Sequence, residues 1–405
     1  TIVFITAALI AGTIRILLLW VSTRLAVASG TDLSMEVYRR TLYQPYQTHV
    51  ARNSSEVISG ITSKVDGVVF GVLMPLLTLV SSTVLLLAIM ATLIAIDPMV
   101  ASAAAVGFGA SYALITWMSR QRLHRNSLRI AYEQTQVVKA LQEGLGGIRD
   151  VLLDGTQPVY CDIYHKADHP LRLAQGNNAV IGQTPRYMME ALGMVLIATL
   201  AYILSRQVEG IATALPVLGA LALGAQRLIP TMQQIYIAWA TIAGHHASLA
   251  DAIALLDQPL LAELMQPAPM PLLLQDAIRF DAVRYRYTGD GPWVLDDLNL
   301  TIPKGARVGF VGSTGSGKST MLDLLMGLLM PTEGVLLVDG QTIRGNRLRA
   351  WQQSITHVPQ NIYLADTTLA ENIAFGVQPD TIDLDRVQQA ARQAQIADFI
   401  ESNPE

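Results

Sequence analysis

Gly312-Ser313-Thr314-Gly315-Ser316-Gly317-Lys318-Ser319-Thr320 decides how the rest of the chain is read. It satisfies G-x-x-x-x-G-K-[ST], a pattern that a chance glycine-rich turn also meets, so its surroundings matter. The apolar run Val308–Val311 precedes it, and Met321–Leu329 follows with helical composition. Strand, loop and helix in that order are what a phosphate site requires. Glycines let consecutive N–H groups point inward, and the helix N-terminus adds its positive end. Lys318 then neutralises β- and γ-phosphates, and the Ser319 hydroxyl ligates Mg²⁺.

Outward from the loop, short β-rich runs at Ile278–Tyr287, Arg307–Val311 and Gly334–Val338 alternate with helical stretches. That is the pattern of an α/β unit. Tyr287 ends Val283-Arg284-Tyr285-Arg286-Tyr287, where an aromatic ring is available to stack on adenine; an edge-strand tyrosine is the plainer reading. Val358-Pro359-Gln360 follows a further β-like run, Ser354–Val358, and presents a carboxamide at a strand end. Alone it reads equally as a turn. Thr368–Gly376 reads as an amphipathic turn with a glycine stop.

The N-terminal half is different in kind. Charged residues make up 15% of the 405, apolar types 51% and aromatics 6%, with mean hydropathy +0.36. An ordinary soluble domain carries roughly 25% charge. Such a chain is neither disordered nor built to coat nucleic acid, and a net charge of −4 gives no basic field. The single cysteine, Cys161, excludes a disulfide framework. Val68–Ile96 and Met99–Met118 carry no charge and are separated only by Asp97-Pro98. Each is long enough to span a bilayer, which takes about 20 residues. Residues 1–28, Met188–Leu204 and Gly210–Gly244 are three further candidates, interrupted by few charges. Arg120, Arg122, Arg125 and Arg129 follow the second span directly, and Arg39, Arg40, Arg52 and Lys64 lie in the loop before the first. The positive-inside bias puts both long loops in the cytoplasm. Their mixed-charge composition fits helices continuing past the membrane, turning near Gln44-Pro45 and Gly155–Pro158.

The order of these motifs resembles the exporter-type ATP-binding cassette transporters over nearly the whole chain. The resemblance implies an α-helical transmembrane domain (helices 2–6 of a six-helix half-transporter) at 1–256. A proline-rich linker at 257–275 and an α/β P-loop nucleotide-binding domain at 276–405 then follow. It makes Tyr287 the adenine-stacking aromatic, Gly312–Ser319 the Walker A loop, Gln360 the Q-loop residue at the metal, and Glu371–Gly376 the stretch after it. It implies ATP and Mg²⁺ as cofactors, a second half-transporter as partner with a homodimer the simpler case, and a plasma (inner) membrane location. The loop tips near Gln44-Pro45 and Gln157–Asp162 correspond to coupling helices. The family's signature loop, Walker B aspartate, adjacent glutamate and switch histidine are expected beyond Glu405, and its first helix before Thr1. His245, His246 and His357 are not placed to substitute, so this polypeptide by itself is expected to bind nucleotide without turning it over.

Arginines inside membrane spans cost about 2.5–3.5 kcal/mol on insertion scales and face a cavity or a partner. Arg15 and Arg227 are such residues. Arg186 is a third candidate, although Glu190 four residues on is a simple ion-pair partner. A guanidinium in a cavity suits a phosphate-bearing substrate. The segments Thr184–Gly193 and Gln226–Pro230 also resemble the branch that moves lipid-linked oligosaccharides or glycolipids. Exporters of peptides or hydrophobic drugs, and an ATP-gated channel or regulatory membrane protein that does not pump, are the alternatives.

Overall fold

The computed structural model describes residues 2–96, 98–205, 210–260, 265–360 and 362–402. The chain packs as two units. One comprises Thr1–Pro267, Phe280–Leu300 and Gly309–Leu336; the other comprises Ala268–Arg279, Thr301–Val308 and Leu337–Glu405.

The first unit opens with long helices. α1 (Ile2–Leu42) ends before Pro45, whose ring fixes φ at −56° and starts the short α2 (Tyr46–Ala51). Asn53 then caps α3 (Ser54–Ser59), its side chain accepting from the Ser55 N–H at 3.1 Å. The helix continues through a π-helical turn (Gly60–Lys64), α4 (Val65–Val68) and a second π turn (Val69–Leu73) into α5 (Met74–Ile96). α6 (Pro98–Gly146) and α8 (Gln157–Ser205) have 49 residues each, about 73 Å at 1.5 Å per residue, more than twice a bilayer core. Between them α7 (Ile148–Leu153) and the left-handed Gly155, at φ 65°, make the turn expected there. α9 (Gly210–Gly244) and α10 (His246–Leu256) complete the bundle. Two stretches among the described residues, Ile5–Leu42 and Ser54–Ala95, are long and apolar enough to cross a membrane, with mean hydropathy 1.9 and 2.4.

Pro185 breaks α8 chemically without ending it. Lacking an N–H, it leaves the Ile181 carbonyl without its helical donor. The Tyr236 hydroxyl of α9 supplies one, donating at 3.2 Å. Gln233 donates to the neighbouring Gly182 carbonyl at 3.0 Å and accepts from the Tyr112 hydroxyl of α6 at 3.0 Å. Phe108, Tyr112, Leu123, Met189, Tyr236 and Ala240 form the buried cluster around this seam. Tyr236→Phe keeps the ring and removes the donor, so it should cost about 1–3 kcal/mol. Thermal unfolding of the detergent-solubilised full-length protein reads this as a lower midpoint; an unchanged midpoint would show the hydroxyl to be dispensable.

The end of α10 is tied to α1 and the first π turn. Lys64, only 6% exposed, pairs with Asp251 at 2.6 Å. Arg40 donates to the free Leu256 carbonyl at the end of α10, and Gln44 donates to Pro259 O at 3.1 Å. Such contacts satisfy carbonyls that every helix C-terminus leaves open.

Beyond residue 276, β1 (Ala277–Tyr285) and β2 (Leu295–Pro303) lead to α11 (Lys318–Leu325). β3 (Glu333–Val338) and β4 (Gln341–Thr342) then pair antiparallel, Val338 opposite Gln341. The hydrogen-bonded order is β2-β1-β3-β4. Asp339 and Gly340 (φ 53° and 72°) make the two-residue turn. Asp339 also accepts from the backbone N–H groups of Asp276, Gln275 and Ala277, which hold its carboxyl below the usual range. The second unit finishes with α12 (Gly345–Gln352), α13 (Leu369–Ile373), α14 (Leu384–Gln393) and α15 (Ala397–Glu401). A capping box starts α13, Thr368 and Glu371 bonding each other's backbone, and Gly376 at φ 82° follows, as the amphipathic reading of 368–376 requires.

Three local expectations need correction. Val308–Val311 and Ser354–Val358 are not strands: neither joins the sheet, and Val311 and Val358 are 99% and 88% exposed. A strand exists only through its neighbours, and no described strand pairs with either run. The helix read to Leu329 ends at Leu325, because Gly327 turns left-handed at φ 67°.

Candidate nucleotide site

The loop Gly312–Gly317 is built on two left-handed glycines, Gly315 (φ 84°) and Gly317 (φ 86°). Gly317 is the N-cap of α11 and is buried. A Cβ there would lie 2.9 Å from Leu295 Cδ2 and 3.0 Å from the Val294 carbonyl. Only glycine allows the backbone to turn into the helix at that point. Lys318 folds back over the loop, its ammonium donating to the carbonyls of Gly312 and Ser313 at 2.8 Å each. An anion bound in the loop would offer its oxygens to this ammonium in place of those carbonyls. Ser319 is exposed in the first turn of α11.

Thr320 is buried, and its hydroxyl is engaged with the Tyr287 hydroxyl at 3.0 Å. The sequence reading counts Thr320 among the nucleotide-binding residues of the loop, and its hydroxyl also anchors the aromatic. Tyr287 stands edge-on to Tyr285, centroids 5.1 Å apart, so the candidate adenine platform and the phosphate helix are joined directly. Burial, with Tyr287 and Asp323 nearby, pushes the Tyr285 phenol up.

Gln360 belongs to the second unit, where it is exposed at a bend. Arg15 is exposed on α1, and Arg186 pairs with Glu190 at 2.9 Å. Arg227 lies outside the residues whose side chains are described. The sequence reading missed Arg286 and Trp293, which flank Tyr287. Arg284 and Arg286 stand two apart where β1 ends, and Trp293 lies in the loop before β2, a separation that sequence does not close.

A phosphate loop opening a helix in an α/β unit, in one chain with helices long enough to span a membrane, defines a membrane-bound nucleotide-binding protein. Residues 1–214, over half of the chain, match the ABC transporter transmembrane region, and residues 295–405 match the ABC transporter family model. The chain belongs to the ABC transporter family. It is 29% identical over 300 residues to the ATP-dependent lipid A-core flippase of Chromohalobacter salexigens, covering 72% of this chain and 50% of that one. With the same-named protein of Albidiferax ferrireducens it shares 26% over 393 residues, covering 96% and 66%. A fatty acid ABC transporter ATP-binding/permease protein of Mycobacterium bovis is 26% identical over 407 residues, covering 96% and 61%. The chain thus spans about half to two thirds of the length of these relatives. A bacterial Atm1-family ABC exporter solved with ATP bound shares the fold, with TM-score 0.75 at 21% identity, covering 94% of this chain and 66% of that one.

Proposed function

We propose that the full-length protein uses ATP to flip or export a lipid-linked oligosaccharide or glycolipid across the plasma (inner) membrane, as one half of a homodimer. The observation that carries this reading is the joining of an ABC permease bundle to an intact phosphate loop in one polypeptide. The lipid A-core flippases among its relatives point to an amphiphilic cargo. Lys318 and the loop N–H groups would hold the phosphates, with Tyr287 against adenine. The Ser319 hydroxyl and phosphate oxygens would be hard ligands of the kind Mg²⁺ takes, and the Gln360 carboxamide has the same donor chemistry. The metal would neutralise charge developing on the transferred phosphoryl group.

For the cargo, Arg15 and Arg227 are the proposed phosphate contacts, with Arg186 a weaker third because Glu190 already holds it. A cavity of about 260 Å³ between α8 and α9 is lined by Gln175, Asn178, Gln183, Thr241 and His245. The test is reconstitution of the full-length protein in liposomes with a fluorescent lipid-linked sugar. Arg15→Ala combined with Arg227→Ala should slow flipping at least about tenfold, a loss of 1.4 kcal/mol or more. Flipping at the wild-type rate would overturn the assignment.

A further inference from the structure

We propose that Arg286 and Trp293 form a clasp that presets the Tyr287 ring for the nucleobase, making both positioning residues for nucleotide binding. The inference rests on the reading of Tyr287 as the base platform and goes beyond it. Tyr287 is followed by Thr288-Gly289-Asp290-Gly291-Pro292, a segment whose glycines give the backbone wide freedom. Left to itself, such a loop would carry the ring through many orientations, and binding would have to freeze them.

The structure closes the loop on both sides of the ring. Val294 N–H donates to the Tyr285 carbonyl at 2.9 Å, and Gly291 N–H to the Thr288 carbonyl at 3.0 Å. Across that closure the Arg286 guanidinium lies 4.5 Å from the centroid of the Trp293 ring, within cation–π range. The Arg286 Nε is buried with no hydrogen-bond partner, so ring stacking is the main interaction this part of the guanidinium makes. Arg284 adds a second cation 5.7 Å from the same ring and is itself fixed by Asp296 at 2.8 Å and Glu333 at 3.4 Å. Tyr287 is thereby held at its hydroxyl by Thr320, at its edge by Tyr285, and at its backbone by the clasp. It still leaves 42% of its surface open, enough for a ring to lie on it.

The ordering is specific to the base. Phosphate contacts come from Gly312–Ser319 and do not pass through Trp293. Removing the clasp should therefore weaken a nucleotide and spare a ligand without a base. The probes are ATP and inorganic tripolyphosphate, binding to the purified full-length transporter by displacement of a fluorescent nucleotide. Trp293→Ala is expected to weaken ATP about tenfold, the order of one desolvated cation–π contact plus lost preorganisation, and to leave tripolyphosphate within about twofold. Trp293→Phe, which keeps a π face, should recover most of the loss. Adding Trp293→Ala to Tyr287→Ala should cost nothing more.

If Tyr287→Ala weakens ATP and Trp293→Ala does not, the clasp is wrong and the base platform stands. Should Tyr287→Ala leave ATP binding untouched, the platform reading fails and the clasp with it. Equal loss of ATP and tripolyphosphate in Trp293→Ala would make the tryptophan a support of the fold, which also overturns the proposal.

Discussion

Lys318→Ala in the full-length protein should abolish ATP-driven transport, lowering the rate at least about a hundredfold, while the protein remains folded and in the membrane. The expectation follows from where the ammonium sits. Its polar contacts are with the Gly312 and Ser313 carbonyls and, at 3.5 Å, the Ser316 hydroxyl, all within the loop it serves. No core contact is lost on truncation, so thermal stability should move by less than about 1 kcal/mol. What disappears is the one formal positive charge in the loop, against the charge of a triphosphate. A transport assay beside a thermal melt separates the two effects. Transport within a few-fold of wild type would show that this loop does not hold the phosphates.

Gly334→Ala should be the most damaging small substitution in the nucleotide-binding part. Gly334 adopts φ 78°, where an L-residue costs about 1–2 kcal/mol. Its missing Cβ would also collide with the Ala282 carbonyl and lie 2.6 Å from the Asp281 carbonyl oxygen. Those are backbone atoms at a kink in β1, where Ala282 itself has φ 49° and its N–H is held by Asn299 Oδ1 at 2.9 Å. Neither side can yield without breaking the ladder, so the total should exceed about 3 kcal/mol. Gly305→Ala is the matched control. Gly305 has the same φ of 78° but open space at its Cβ, so it should show the backbone strain alone. Limited proteolysis and denaturant midpoints of the two variants measure the difference. Equal loss would mean the clash is relieved by local movement.

The features legible in the sequence were those whose causes are local or compositional. The phosphate loop was readable because its glycines, lysine and serine act through adjacent backbone. The long helices were readable because a bilayer sets a length. Thr368 and Glu371 announced α13 through a three-residue spacing. The failures have the opposite character. Val308–Val311 has the right side chains for a strand, but strand formation depends on a neighbour that composition does not reveal. The seam at Pro185 was hidden because the residue completing its hydrogen bond, Tyr236, is on another helix. The Thr320–Tyr287 bond was hidden for the same reason, its partner lying 33 positions earlier in the chain. The Asp339–Gly340 turn was readable from its dipeptide alone and was passed over.

The unpaired run Val308–Val311 also sets how the polypeptide behaves in a tube. Among the described residues no strand pairs with this run, and its exposed Val311 is open to contact with another extended chain. The expected result is turbidity when the polypeptide is concentrated. A short β-strand peptide that caps the edge should keep it clear.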